Sequence, residues 1–69
     1  MITVTTANSV YEIDEAHRRA RKQGDPWRSY EAHEFVAGRA VIVFSDENTT
    51  VTSKIVSVDR GNEQVYNAQ

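Results

Sequence analysis

The sequence predicts an α+β fold: a small, mostly antiparallel sheet of three to four strands with one principal helix packed on a face. The first observation is composition, because nine Val, four Ile and six Thr with no leucine favour a sheet. The second is a set of helix signals that begins at Ser9. The third is the apolar run over residues 40–44, which is typical of a buried strand. With 69 residues, the chain is expected to form a single small domain.

The first half of the chain predicts a strand followed by the helix. Residues 1–6 alternate between apolar and polar side chains, which indicates a half-buried strand. Ser9 and Glu12 have the spacing of a capping box, in which each side chain bonds the other residue's amide. Acidic residues then precede basic ones, as the helix dipole favours, and Gly24 suits the C-terminal end. The helix is therefore predicted over residues 10–23.

The second half predicts strands after an uncertain segment. Residues 26–37 favour a short helix over a strand, because Pro26 suits a first helical turn and Gly38 suits an end. Residues 39–45 form the strongest predicted strand, and residues 49–59 form the next one, antiparallel to it. The apolar residues of that last strand change phase, which predicts a bulge or strong twist near Ile55.

Two features of this fold predict assembly. Residues 40–44 are apolar on both faces, whereas one helix covers only one face. The other face is covered by residues 27–36, by a second copy of the chain, or by a foreign partner. A domain below about 70–80 residues also has a thin stability margin, which an interface would increase. The polar residues 62–69 are expected to form a short edge strand or a frayed tail.

Composition excludes several classes of protein. The absence of cysteine excludes disulfides and thiolate metal sites. The longest apolar run, residues 40–44, is far shorter than the ~20 residues of a membrane span, and no leader precedes Ile2. We therefore expect a cytoplasmic protein with no membrane partner. The net charge of −2 gives no overall attraction to nucleic acid.

A basic cluster nevertheless supports nucleic-acid binding as the alternative function. Arg18, Arg21 and Lys22 share one face of the predicted helix, near its C-terminal end, where they could contact phosphates. The competing interpretation is a solvated helix end that pairs with Asp14 and Glu15 on the same helix. The negative net charge favours the second interpretation.

A metal-dependent enzyme is the third hypothesis. Its candidate residues would have to converge in space, since they are spread along the sequence: Asp14, His17, His33 and Glu34. His33 and Glu34 resemble the start of an H-E-x-x-H motif, but Ala37 occupies the position of the second ligand. With two histidines and no cysteine, we predict scattered surface residues, no metal, no cofactor and no catalytic site.

Aromatic residues outside the predicted elements are the candidates for protein contacts. They are Trp27, Tyr30, Phe35 and Tyr66. Trp and Tyr are enriched at interface hot spots, although Trp27 and Phe35 could instead close a small core. The leading prediction is a small non-enzymatic interaction module, a regulator or inhibitor of a larger protein that also forms a homodimer. In size and charge it is similar to small phage- or plasmid-borne regulators.

Overall fold

The structure, a computed structural model, describes residues 1–68, and it contains eight antiparallel β-strands and no helix in that range. The strands are β1 (Ile2–Thr6), β2 (Val10–Asp14), β3 (Arg19–Lys22), β4 (Arg28–Val36), β5 (Arg39–Phe44), β6 (Thr49–Val51), β7 (Ile55–Arg60) and β8 (Glu63–Asn67). They form one sheet in the order β6-β5-β4-β3-β2-β1-β7-β8. The predicted α+β fold is therefore wrong, and the protein is all-β.

The predicted helix over residues 10–23 is a β-hairpin made of β2 and β3. Glu12 lies opposite Arg21 in the register, and their side chains form an ion pair at 2.8 Å. Asp14 lies opposite Arg19 and pairs with it at 2.9 Å. The acidic-then-basic order that imitates a helix dipole thus arises from opposite charges on facing strands, which stabilise a sheet.

Side chains at the two ends of this hairpin explain why the helix signals mislead. Ser9, the predicted cap, lies in the β1–β2 turn, where its amide donates to Thr6 Oγ1 at 3.0 Å. At the other end the His17 amide donates to Asp14 Oδ1 at 3.4 Å, and Arg18 has a φ of 52°. A short polar side chain that binds a nearby amide favours turns as well as helix caps.

The short helix predicted in residues 26–37 is also wrong, because strand β4 occupies most of this segment. The two-residue turn between β4 and β5 has positive φ at both positions, 52° at Ala37 and 75° at Gly38. Such turns match the twist of paired strands. The register of β4 shifts between Tyr30 and Ala32, and this irregularity explains why its apolar residues do not alternate cleanly.

Other predictions for the strands are confirmed in part. The half-buried strand at the N-terminus is β1, and the strongest strand is β5, which pairs antiparallel with β6. The strand predicted over residues 49–59 is divided, because β6 pairs with β5 whereas β7 pairs with β1 and β8. A register shift leaves Val56 unopposed, which confirms the bulge near Ile55. Of the tail, residues 63–67 form edge strand β8, whereas Gln69 lies outside the described residues.

The connection between β6 and β7 folds the sheet over on itself. In a flat sheet these strands would lie six spacings apart, about 29 Å at ~4.8 Å each. The chain passes from Val51 to Ile55 in four residues, which span at most about 14 Å. The sheet must therefore curl until its two ends approach. Hydrogen bonds from the Thr52 amide to the Ala40 carbonyl (2.9 Å) and from the Ile55 amide to the Gly38 carbonyl (2.7 Å) fix this connection.

The core lies inside the curled sheet. Its members are Ile2, Val4, Ile13, Ala20, Tyr30, Ala40, Ile42, Phe44, Ile55 and Val58. On β5 the inward residues are buried, whereas Val41 and Val43 on the outer face are half-buried. The segment of residues 27–36 does not cover that outer face, because β4 lies beside β5 in the sheet. Within residues 1–68 the fold includes no helix that could span a membrane.

Candidate functional site

An open apolar groove lies between the β4–β5 turn and the β7–β8 hairpin. Its volume is about 310 Å³. Its lining residues are uncharged: Phe35, Gly38, Ile55, Val58, Val65 and Tyr66. We call this depression the groove. Concave apolar surfaces of this kind are the usual sites of recognition in proteins.

The groove has an exposed rim and a buried floor. The rim consists of Phe35, Val65 and Tyr66, residues that are 48%, 53% and 46% exposed. The floor consists of Ile55 and Val58, which belong to the core. The groove therefore opens directly onto the core, and a ligand in it would extend the core outward.

A bulge in β8 places two neighbouring side chains on the rim. Val58 lies opposite Tyr66 and Asp59 lies opposite Gln64, so Val65 is an extra residue in the ladder. Adjacent residues of a regular strand point to opposite faces. The bulge interrupts that alternation, and both Val65 and Tyr66 line the groove.

The other side of the groove is held by ring contacts and a backbone bond. The ring of Phe35 meets that of His33 edge to face at 6.0 Å, and His33 meets Tyr30 at 5.7 Å. The Gly38 carbonyl accepts a hydrogen bond from the Ile55 amide at 2.7 Å. This bond joins the β4–β5 turn to β7, so the two sides of the groove are tied to each other.

Two of the four predicted aromatic contacts lie at the groove, Phe35 and Tyr66. Tyr30 is buried in the core. Sequence reasoning missed Val65 and the floor residues. The adjacent pair Val65-Tyr66 in an otherwise polar tail was the available signal. The floor had no comparable signal, because its position depends on how the sheet curls.

Trp27, the remaining aromatic candidate, lies away from the groove and outside the core cluster. The guanidinium groups of Arg19 and Arg21 lie 4.5 and 4.1 Å from the centre of its ring. Both arginines also pair with the acidic residues of β2. Trp27 therefore packs through cation–π contacts against the arginine side chains of β3, and these arginines form ion pairs with β2.

The basic residues proposed for nucleic-acid binding do not share a helix face. Arg18 lies in the β2–β3 turn, and its guanidinium donates to the Glu31 carbonyl at 3.0 Å. Arg21 pairs with Glu12, and the neighbouring residue Lys22 points to the other face of β3. The helix face from which the nucleic-acid alternative was argued is therefore absent from the described residues.

The residues of the metal-enzyme hypothesis do not converge either. His17 Nδ1 and Asp14 Oδ2 are 3.0 Å apart, where β2 ends and the turn to β3 begins. His33 and Glu34 are neighbours on β4, so their side chains point to opposite faces. Within residues 1–68, no group of three His, Cys, Asp or Glu residues could hold a metal ion.

Three carboxylates paired with arginines, on Asp14, Glu15 and Asp46, have lowered pKa values. Burial raises the pKa of Asp14, but hydrogen bonds from Arg19 and His17 outweigh that effect and hold it below its usual range. The Arg60 guanidinium, 2.6 Å from the Glu15 carboxylate, lowers the pKa of Glu15. Arg28 acts in the same way on the pKa of Asp46, whereas burial raises the pKa of Tyr30.

We expect acid to weaken the fold through these carboxylates. Their stabilising contribution is complete above the pKa of the unfolded chain, about 4, and is lost as the pH falls toward the lower folded values. Thermal unfolding measured between about pH 6 and pH 3 should therefore show a falling midpoint. The double variant Asp14→Asn with Glu15→Gln should be less stable at pH 6 and lose less on acidification. An equal loss in both proteins would contradict this assignment.

Comparison with known proteins identifies no relative of this chain. The chain matches no protein-family model, no curated protein and no solved structure.

Proposed function

We propose that this chain is a non-enzymatic protein-interaction module that binds an extended apolar segment of a larger protein in the groove. The observation that carries the proposal is the convergence of three exposed apolar side chains, Phe35, Val65 and Tyr66, above a floor of core residues. By occupying a segment of its partner, the module would act as a regulator or inhibitor. A cytoplasmic location stays a prediction.

Burial of the rim provides the driving force. Complete burial of a large apolar side chain is worth about 1.5–3 kcal/mol, and about half of each rim side chain is still exposed. Aromatic residues in a desolvated pocket are also the usual hot spots of interfaces. Phe35 and Tyr66 on opposite sides of the groove would enclose one apolar side chain of the ligand.

The edge position of β8 favours an extended ligand. β8 is the last strand in the sheet order, and all five of its residues are exposed. An edge strand presents backbone donors and acceptors with which another extended chain can pair. In strand addition, these backbone bonds give affinity and side-chain pockets give specificity. The opposite edge, β6, offers only three residues.

The chemistry of the groove supports binding rather than catalysis. Tyr66 is its only lining residue with a titratable side chain, among the residues that the structure describes. Proton transfer and nucleophilic catalysis usually need a base beside the reacting group. The hydrogen-bonded pair of His17 and Asp14 lies where β2 meets the turn to β3, and neither residue lines the groove.

Random peptides of strand length, displayed on phage and selected on the wild-type chain, test this function. We expect selected peptides to alternate apolar and polar residues. Val65→Asp should weaken their binding at least about tenfold, because a charge would then have to be buried in the groove. Val51→Asp is the matched control, since Val51 is exposed on β6 and absent from the groove lining.

Each result of the selection decides the proposal. Amide NMR signals of the groove residues should shift on addition of a selected peptide, and binding to the Val51→Asp control should equal that to the wild type. The proposal fails when no peptide is enriched. It fails equally when Val65→Asp binds the selected peptides as well as the wild type does.

A further inference from the structure

A second apolar surface lies on the outer side of β4, β5 and β6, away from the core. We call it the valine face, and it contains Val36, Val41, Val43 and Val51. In the register Val51 lies opposite Val41, and Arg39 lies opposite Val36. The same face therefore places valines of three neighbouring strands side by side.

This face is open, although it adjoins the core strand β5. Val51 is 60% exposed and Val36 is 47% exposed, whereas Val41 and Val43 are half-buried. A shallow depression of about 270 Å³ lies beside them, between β4 and β5. Isolated exposed valines are ordinary on protein surfaces, but a contiguous group over three strands indicates an interaction surface.

Two opposite charges lie on the same face, on neighbouring strands. Glu34 lies opposite Val41, and Arg39 lies opposite Val36, so Glu34 and Arg39 occupy one diagonal of a four-residue square. The valines occupy the other diagonal. None of the ion pairs within residues 1–68 includes Glu34 or Arg39. Arg39 Nη1 donates to the Thr52 carbonyl, which leaves its other guanidinium donors for a carboxylate.

We propose that the valine face binds a second copy of this chain in a two-fold symmetric dimer. A two-fold axis along the Val36–Val41 diagonal brings each of these valines against its own copy. The same axis places Glu34 over Arg39 of the partner subunit, and Arg39 over Glu34 of the partner subunit. A two-fold interface requires this reciprocity, in which residue i contacts j and j contacts i.

The charge pattern and the area of the valine face indicate a dimer that is specific but weak. Because the valine face has one acidic and one basic residue beside its apolar centre, two copies of it are complementary in charge. Three strands of about six residues cover roughly 300 Å² in plan, less than the ~800 Å² per partner of a standard interface. The dimer is therefore weak and dependent on concentration. It would nevertheless remove from water the apolar surface that this small chain leaves uncovered.

Sedimentation equilibrium of the wild type and two charge-reversal variants tests the dimer. The wild type should associate in the micromolar range and saturate at two copies. Glu34→Arg alone and Arg39→Glu alone should each weaken association by about tenfold or more, because like charges then face each other. An equimolar mixture of the two variants should form a heterodimer about as tight as the wild-type dimer. At positions 34 and 39 one copy then carries two positive charges and the other carries two negative charges.

Two further variants separate this interface from the groove. Val51→Asp should abolish association, whereas Val65→Asp should leave it unchanged and impair only peptide binding. Thermal unfolding of each variant verifies that it is folded. The dimer is overturned when the folded wild type stays monomeric, when it grows beyond two copies, or when the mixture of charge variants does not associate. None of these results depends on whether the groove binds peptides.

Discussion

The variant Ile42→Ala should lose about 3 kcal/mol of unfolding free energy. Ile42 lies at the centre of β5 and is fully buried among the core residues. Its truncation removes apolar contacts and leaves a cavity, because the paired strands β4 and β6 on both sides of β5 restrict collapse. Native domains have about 5–15 kcal/mol of stability, and a chain of this size lies near the lower limit.

Urea unfolding followed by fluorescence measures this loss. Trp27 is the only tryptophan and packs against Arg19 and Arg21, so its emission should change when the hairpin opens. Val43→Ala is the control on the same strand. Val43 points to the outer face and is half-buried, so its truncation should cost about 1 kcal/mol or less. Similar losses for both variants would contradict the assignment of inner and outer faces on β5.

Residues 10–23 were predicted as a helix but form a hairpin, because their sequence pattern fits both structures. Ile13 and Ala20 are seven residues apart, which is about two helical turns, so both would lie on one face of a helix. In the structure the same two residues lie opposite each other across β2 and β3, and both are fully buried. A hairpin and a helix can thus share one pattern of apolar and charged residues. The decision comes from the strands on both sides of the hairpin, β1 and β4, which no local pattern records.

The strands with simple patterns were predictable. The alternation in β1 and the unbroken apolar run in β5 each identified a strand, because these patterns fit a sheet much better than a helix. The change of phase near Ile55 indicated the bulge there. The division of residues 49–59 between two parts of the sheet was not predictable, since it depends on how far the sheet curls.

The candidate site was predictable only in part, for a related reason. Phe35 and Tyr66 were identified by residue type, but their convergence requires β8 to lie across from the β4–β5 turn. Val65 joins them because of a bulge set by pairing with β7. The two-faced pattern of residues 40–44 predicted a second apolar face that residues 27–36, a second copy or a foreign partner would cover. The outer face of β5 is that surface, and its occupation by a second copy stays a prediction.

The second large effect is expected at the connection between β6 and β7. Thr52 is almost fully buried there, and its Oγ1 accepts a hydrogen bond from the Ala40 amide at 3.0 Å and donates to the Ser53 carbonyl at 2.8 Å. Thr52→Val keeps the shape but leaves the buried Ala40 amide without this acceptor. An unsatisfied buried donor costs about 1–3 kcal/mol, which urea unfolding should detect.

Thr52→Ser separates the hydroxyl from the methyl group. It keeps the bond to the Ala40 amide and loses one methyl, so it should cost only about 1 kcal/mol. Hydrogen exchange locates the effect: in Thr52→Val the amides of Ala40 and Ile55 should exchange faster, whereas those of the β2–β3 hairpin should change less. Uniform acceleration would mean global destabilisation instead. Because this connection precedes Ile55 on the groove floor and follows Val51 on the valine face, loosening it should weaken both peptide binding and dimerisation.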